Sequence, residues 1–292
     1  MLKSIALVFV FVVFQSCTFF PIEDITSTAS FVDTPTASLI EKGVVDEASG
    51  IADSRNLAGN VWVHNDGDNP SDLYLLSNKG AFVAKYAMPF RNRDWEDITI
   101  GAGPTTGVNY IYLADIGDNL AQYDECYIYR FQEPKSVSEQ VTAYDKITFK
   151  YADGKYDAEA ILLDPTTKDL YIVTKRETSV RLYKLAYPQS TTAMNVATFL
   201  TTLPFTYITS GGVSSDGKEI LLKTYSAVYY WKLKSSESIA TALSRQYDAS
   251  PKYTFEPQGE GICFDRNNGG FYTISERPSE QLQTSLYFYA KK

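Results

Sequence analysis

The 292-residue chain carries 35 acidic and 27 basic side chains, a formal net charge of −8 with no basic block, so its long-range field repels nucleic acid and anionic lipid. A single histidine, His64, excludes multi-histidine zinc sites. Of the three cysteines, Cys126 and Cys263 read as buried free thiols, since one possible bridge is no disulfide framework. Any chemistry falls to carboxylates and cations.

The chain opens Met1-Leu-Lys3, runs through the apolar stretch Ile5 to Phe14 and reaches Gln15-Ser16-Cys17, the three-part layout of a secretory signal. The stretch is too short to span a bilayer. A small residue directly before a cysteine suits lipoprotein processing, with cleavage before Cys17 and a lipid on that residue. The chain therefore divides into a signal peptide (1–16), lipidated Cys17 with a tether (17–36) and one domain (37–292), expected to be a monomer exported to the cell envelope and to meet the membrane only through its lipid.

Short segments rich in Tyr, Val, Ile and Thr recur from residue 60 onward, bounded by Gly, Asp, Asn and Pro, and predict strands such as Asn60–His64, Asp72–Leu76, Asn109–Ala114, Asp169–Thr174 and Glu219–Thr224. Ser235–Arg245 is the one short helical candidate. One phrase returns five times: Glu47-Ala-Ser-Gly-Ile51, Asp94-Trp-Glu-Asp-Ile98, Asp157-Ala-Glu-Ala-Ile161, Thr209-Ser-Gly-Gly-Val213 and Gln258-Gly-Glu-Gly-Ile262. Their last residues are 47, 63, 52 and 49 positions apart, and further strand-like segments follow each phrase. A phrase plus three strands at this period is one propeller blade, so the expected fold is all-β: a single β-propeller of five four-stranded blades, or six if the long second interval hides a degenerate one. After Ile262 only two strands remain, and residues 37–45 are expected to supply the missing outer strand and close the ring.

If each phrase opens an innermost strand, Glu47, Asp94 and Asp157 share one position, and Glu96, Glu159 and Glu260 share another two residues on, at one axial mouth. The second strands end on the same face with His64-Asn65-Asp66, Asp115-Ile-Gly-Asp118-Asn119, Lys175-Arg176-Glu177, Lys223-Thr224 and Ser275-Glu276-Arg277. So many like charges repel unless cations or protons offset them. A hard divalent cation, calcium or else magnesium, would be held by Glu47, Asp94, Glu96, Asp157, Glu159 and Glu260; the other remedy is ion pairing to Lys175, Arg176, Lys223 and Arg277. The run Asp66-Gly-Asp68-Asn69-Pro70-Ser71-Asp72 lacks the glycine and glutamate of an EF-hand and reads as a polar turn. Gly101-Ala-Gly103 lacks a strand-to-helix context, so neither a nucleotide nor a haem is expected.

The phrases Asp94-Trp-Glu-Asp-Ile98, Asp115-Ile-Gly-Asp-Asn119, Asp157-Ala-Glu-Ala-Ile161 and Gln258-Gly-Glu-Gly-Ile262, with Trp62-Val-His-Asn-Asp66 and Thr174-Lys-Arg176, resemble a family of exported bacterial propeller proteins of unassigned activity over about residues 40 to 290. More distantly the pattern is similar to propeller phytases and to gluconolactonase and strictosidine-synthase-like propellers. That kinship implies metal and substrate at the axial mouth, but fold does not carry function. The fourth phrase departs from the pattern, with Ser210-Gly-Gly-Val213 where an acid is expected. Two readings follow. In one, a metal-assisted hydrolase acts on a small phosphoester or lactone, with Asp115 or Glu276 as base and Asn65, Asp66, Asp118, Asn119, Lys175, Arg176, Lys223 and Arg277 on the polar or anionic ligand. In the other, a non-catalytic scaffold with a salt-bridged mouth binds an envelope glycan, a peptide or a protein. A five-bladed glycosidase is a third class, decided by carboxylate separations that a sequence does not give.

Overall fold

The computed structural model describes residues 29–277, 279 and 282–292, so the signal sequence and Cys17 lie outside the described residues. Successive antiparallel meanders fill the chain. The first consists of β2 (Ala48–Asp53), β3 (Asn60–Asn65), β4 (Asp72–Ser77) and β5 (Phe82–Ala87), paired in that order. The second is β6 (Trp95–Ala102), β7 (Asn109–Asp115), β8 (Cys126–Gln132) and β9 (Asp145–Tyr151), and the third is β10 (Ala158–Leu163), β11 (Leu170–Thr174), β12 (Val180–Leu185) and β13 (Asn195–Leu203). These two fuse into one eight-stranded sheet, because β13 pairs in parallel with β9 at Asn195–Ala197 opposite Phe149–Tyr151. Asn195 fastens the seam by donating to the Thr148 carbonyl at 2.9 Å.

The fourth meander, β14 (Ile208–Val213), β15 (Glu219–Thr224) and β16 (Val228–Lys232), has three strands, with one bridge from Tyr230 to Ala249 in place of the expected outer strand. Its ladder is diverted by a side chain: Asp248 accepts from the Lys232 amide at 2.7 Å, held there by Arg245. The helix expected over Ser235–Arg245 forms as the short α1 (Ile239–Leu243), capped by the Ser238 hydroxyl on the Thr241 amide. The last meander, β17 (Gly259–Phe264), β18 (Gly270–Ser275) and β19 (Ser285–Ala290), takes β1 (Thr36–Leu39) as its outer strand, Thr36 opposite Phe288 and Leu39 opposite Ser285. The two ends of the described chain thus share one sheet, with the short β1 as its outer edge.

The first strands form a closed ring: β2 lies beside β6, β6 beside β10, β10 beside β14, β14 beside β17 and β17 beside β2. Small residues make that approach possible. A Cβ on Gly261 would lie 2.9 Å from both Ile51 Cγ2 and the Ser49 carbonyl oxygen, and one on Gly50 would meet His64 Nε2 at 2.3 Å. Bulky side chains fill the spaces between meanders, with Trp62, Trp95 and Trp231 fully buried in the apolar clusters. Cys126 and Cys263 are buried free thiols.

Candidate functional site

Antiparallel pairing brings the starts of the ring strands and the ends of their partners to one face: Ala48 faces Asn65, Trp95 faces Asp115, Ala158 faces Thr174, Ile208 faces Thr224 and Gly259 faces Ser275. The register then slips by one residue in all five pairs, leaving Ser49, Glu96, Glu159, Thr209 and Glu260 out of the ladder as bulges. A bulge re-aims its side chain, and here the fivefold bulge builds the mouth. It also corrects the alignment of the fourth phrase, which runs two residues earlier than its composition implies. The residue equivalent to Glu96, Glu159 and Glu260 is Thr209, not a member of Ser210-Gly-Gly-Val213. The two hydroxyl bulges cap the neighbouring bulges: Ser49 Oγ donates to the Glu96 carbonyl at 2.7 Å and Thr209 Oγ1 to the Glu260 carbonyl at 3.0 Å.

One residue deeper, Asp97 closes the axis. Its carboxylate accepts from the Ile98 amide (2.9 Å), the Ile161 amide (3.0 Å) and the Ser210 hydroxyl (3.0 Å), tying β6 to β10 and to β14 across the ring. Ser210 Oγ in turn receives the Ile262 amide of β17 at 3.2 Å. Burial pushes the Asp97 carboxyl up to about 8 despite these donors. The mouth is therefore a blind cup that opens on one face.

Within the cup, Asp66, Asp94 and Glu96 form one set and Glu96, Asp157 and Glu159 a second, and in each set the carboxylate oxygens lie within 4.8 Å of one another. Two oxygens bound to the same calcium at about 2.3–2.6 Å are separated by no more than this order of distance. Glu96 is shared by both sets and is 4 % exposed, and the charge that opposes the acids around it is Lys175. Burial, then Glu159, Asp66 and Asp94, raise its carboxyl well above the ordinary value. Burial with the neighbouring Asp66, Asp157 and Asp115 lifts Asp94 to about 7. Glu159 is pushed to about 8 by burial and by Glu260, against the pull of Lys175. Two glycines press on Asp94: a Cβ on Gly67 would sit 2.3 Å from its Oδ1, and one on Gly117 2.5 Å from its Oδ2 and 2.1 Å from Glu96 Oε1. Buried Glu260 Oε2 has no hydrogen-bond partner.

The basic residues are less free than the sequence suggests. Lys175 Nζ is paired with Glu159, and Arg176 with Asp157 and Asn119. Burial works against the charge on Lys175, yet Glu159, Glu260 and Glu96 outweigh it and hold the ammonium protonated. Lys223 is wholly buried and donates to the Gly259 and Thr224 carbonyls, and burial lowers it to about 8. Arg277 pairs with Asp46. Asp118 accepts from the Gln122 and Tyr123 amides at 2.9 and 2.7 Å, and Asn65 Oδ1 accepts from the Glu47 amide at 3.3 Å, so both hold loops. Glu47 is exposed and receives Asn69 at 2.5 Å. Asp115, fully buried, accepts from the Asp94 amide at 3.2 Å and lies 3.3 Å from Arg93 Nε. Glu276 is half-buried, accepts from Gln258 at 2.6 Å and is raised to about 8 by burial and by Glu260 and Asp66. His64 is buried beneath the mouth, with Nδ1 3.0 Å from the Asn65 carbonyl, and burial drops its imidazole to about 4.

No family model matches the sequence, and no curated protein matches it. Among solved structures the chain is similar to a luciferin-regenerating enzyme, at 12% identity over 88% of this chain and 95% of that one, with a TM-score of 0.50. This chain is a β-propeller. The WD40 repeats of RRP9 are also similar, at 11% identity, 84% and 67% coverage and a TM-score of 0.43. At these identities the likeness concerns the fold alone. The propeller presents buried acidic groups that could hold a metal ion.

Proposed function

We propose that this protein is an envelope-anchored, five-bladed propeller that holds a divalent cation, calcium or magnesium, at its acidic mouth and through it binds a small anionic ligand. The observation that carries the reading is Glu96, a buried carboxyl shared by two three-oxygen sets, with Glu159, Asp66 and Asp94 around it and Lys175 as the opposing charge. Acids crowded in a buried site must hold protons or gain a cation, and a hard cation is the partner that these oxygens would accept. The blade number rests on the five ring strands with the same bulge, and a sixth blade has no ring strand among the described residues.

An ion would be held by Asp66, Asp94 and Glu96, and Lys175 and Arg176, paired with Glu159 and Asp157 of the adjoining set, would supply further positive charge. An anionic oxygen bound there would be attracted by the ion and by these two side chains. For hydrolysis, the same ion would polarise the ligand oxygen, and Glu276 is the better candidate base, because Asp115 is fully buried against Arg93. The salt-bridged scaffold is favoured by the Lys175–Glu159 and Arg176–Asp157 pairs, but these two pairs engage neither Glu96 nor Asp94 directly.

Calorimetric titration of metal-stripped protein with calcium, beside a Glu96→Gln variant, tests the proposal. Saturable binding that raises the melting temperature and is lost in the variant supports it. Heats no larger than dilution, with the fold intact, would leave the salt-bridged scaffold.

A further inference from the structure

Two tyrosines stand on the rim of the mouth where the third and fourth meanders meet. Tyr207 lies just before β14, its amide donating to the Lys175 carbonyl at 2.7 Å, and Tyr225 lies in the turn that follows β15. Their ring centroids are 6.4 Å apart, with the planes at 48°. Lys175 Nζ lies 5.2 Å from the centre of the Tyr225 ring, and the Tyr225 hydroxyl is set beside Glu260. The pair thus borders the side of the cup that holds Lys175, Glu159 and Glu260.

Tyr207 has a left-handed backbone, φ 55°, a conformation that is costly for a bulky side chain. The other non-glycine residues with positive φ among those described are small, polar or charged: Asp68, Ala121, Lys168, Ser236 and Asn268. Packing does little to offset the strain, since Tyr207 is 51 % exposed. A strained aromatic ring left open beside a polar cup points to a ligand as its packing partner.

Next to that ring the cup offers hydrogen bonds of both kinds. Lys175 and Arg176 carry donors, shared with Glu159 and Asp157. Glu260 is 4 % exposed, and its Oε2 has no hydrogen-bond partner among the described residues. Burial first, then neighbouring acids, raise Glu159 and Glu276 to about 8, so both hold protons near neutral pH and can donate as well as accept. A pyranose suits this surface. One of its faces is made of C–H groups, whose slight positive charge meets the negative face of an aromatic ring, and its rim of hydroxyls both donates and accepts. A planar aromatic anion would stack as well but would bring no hydroxyl to Glu260, leaving a buried oxygen unpaired.

We propose that the mouth recognises an acidic sugar, a pyranose of the uronic-acid class, with its ring on Tyr207 and Tyr225, a hydroxyl on Glu260 and its carboxylate toward the cation. The role of the sugar carboxylate rests on the reading of the mouth as a cation site, whereas the stacking on the tyrosines does not.

Saturation-transfer NMR of the calcium-loaded protein with glucuronate, galacturonate and mannuronate, and with benzoate for comparison, tests this. Two variants accompany the parent: Tyr207→Asn, which suits the left-handed backbone but lacks the ring, and Tyr207→Phe, which keeps the ring. At least one uronate is expected to receive saturation most strongly at the C–H protons of one ring face, with a signal several-fold weaker in Tyr207→Asn and retained in Tyr207→Phe. Benzoate binding as tightly as the best uronate, an equal uronate signal in Tyr207→Asn, or no transfer to any uronate at millimolar concentration overturns the proposal. Calcium calorimetry on the same samples separates the failures. Calcium binding without uronate binding overturns the sugar alone. Uronate binding that depends on the Tyr207 ring without any calcium binding overturns the cation reading and upholds the stacking.

Discussion

Asp97 on β6 and Ser210 on β14 meet across the propeller axis at 3.0 Å, joining two ring strands that are not neighbours. Asp97→Ala would strand the Ile98 and Ile161 amides and the Ser210 hydroxyl in a dry interior, each at about 1–3 kcal/mol. Chemical denaturation should show a loss on the order of 3 kcal/mol or more. Ser210→Ala removes one acceptor and one donor and should cost about 1 kcal/mol.

A Cβ on Gly117 would lie 2.1 Å from Glu96 Oε1 and 2.5 Å from Asp94 Oδ2. A methyl group there must displace the Glu96 or Asp94 carboxylate, so Gly117→Ala is expected to weaken calcium binding about tenfold or more, equivalent to at least ~1.4 kcal/mol. Gly269→Ala, whose Cβ would meet nothing nearer than 3.5 Å, is the control and should bind as the parent does.

Lys175 is the positive charge buried among Glu159, Glu260 and Glu96. Lys175→Met leaves those acids without it and should destabilise the metal-free protein by about 3–5 kcal/mol. Saturating calcium should recover part of that loss, because an ion can take over the neutralising role. In a purely salt-bridged mouth, calcium would restore nothing, and thermal melts with and without the ion separate the two.

Asp94, Glu159 and Glu276 rise from ordinary values of 3.8, 4.5 and 4.5 to about 7, 8 and 8 on folding. The folded state therefore holds protons that the unfolded chain releases, and stability falls with rising pH where this holds. The stability that protonation confers is complete below about 4 and is lost as pH climbs through 7 to 8. Metal-free protein should melt at lower temperature at pH 8.5 than at pH 6, and calcium affinity should rise over the same interval as ions replace protons.

Much of this was legible in the sequence because the phrase repeats carry their charges openly: Asp94 with Asp157 and Glu96 with Glu159 mark two positions by type and spacing, and Glu96 joins the two sets that they form. The fourth phrase was misaligned because Tyr207-Ile-Thr209 carries no acid to mark its start. Thr209 could be placed only when the strand register showed which residue drops out of the ladder. Asp97 was overlooked, though it stands where the other phrases carry Gly50, Ala160, Ser210 and Gly261, and an acid in a row of small residues was the available signal. The capture of Lys223 by backbone carbonyls, the Arg93–Asp115 contact and the parallel β9–β13 seam depend on distant segments meeting, which local pattern does not encode.

The most direct test is anomalous diffraction from crystals of the metal-stripped protein soaked in manganese, which substitutes for calcium or magnesium at oxygen sites. The account predicts a peak in the cup within about 2–2.6 Å of Glu96 carboxylate oxygen, shared with Asp66 and Asp94 or with Asp157 and Glu159. A saturating soak that leaves the cup without a peak while labelling other acidic sites would contradict it.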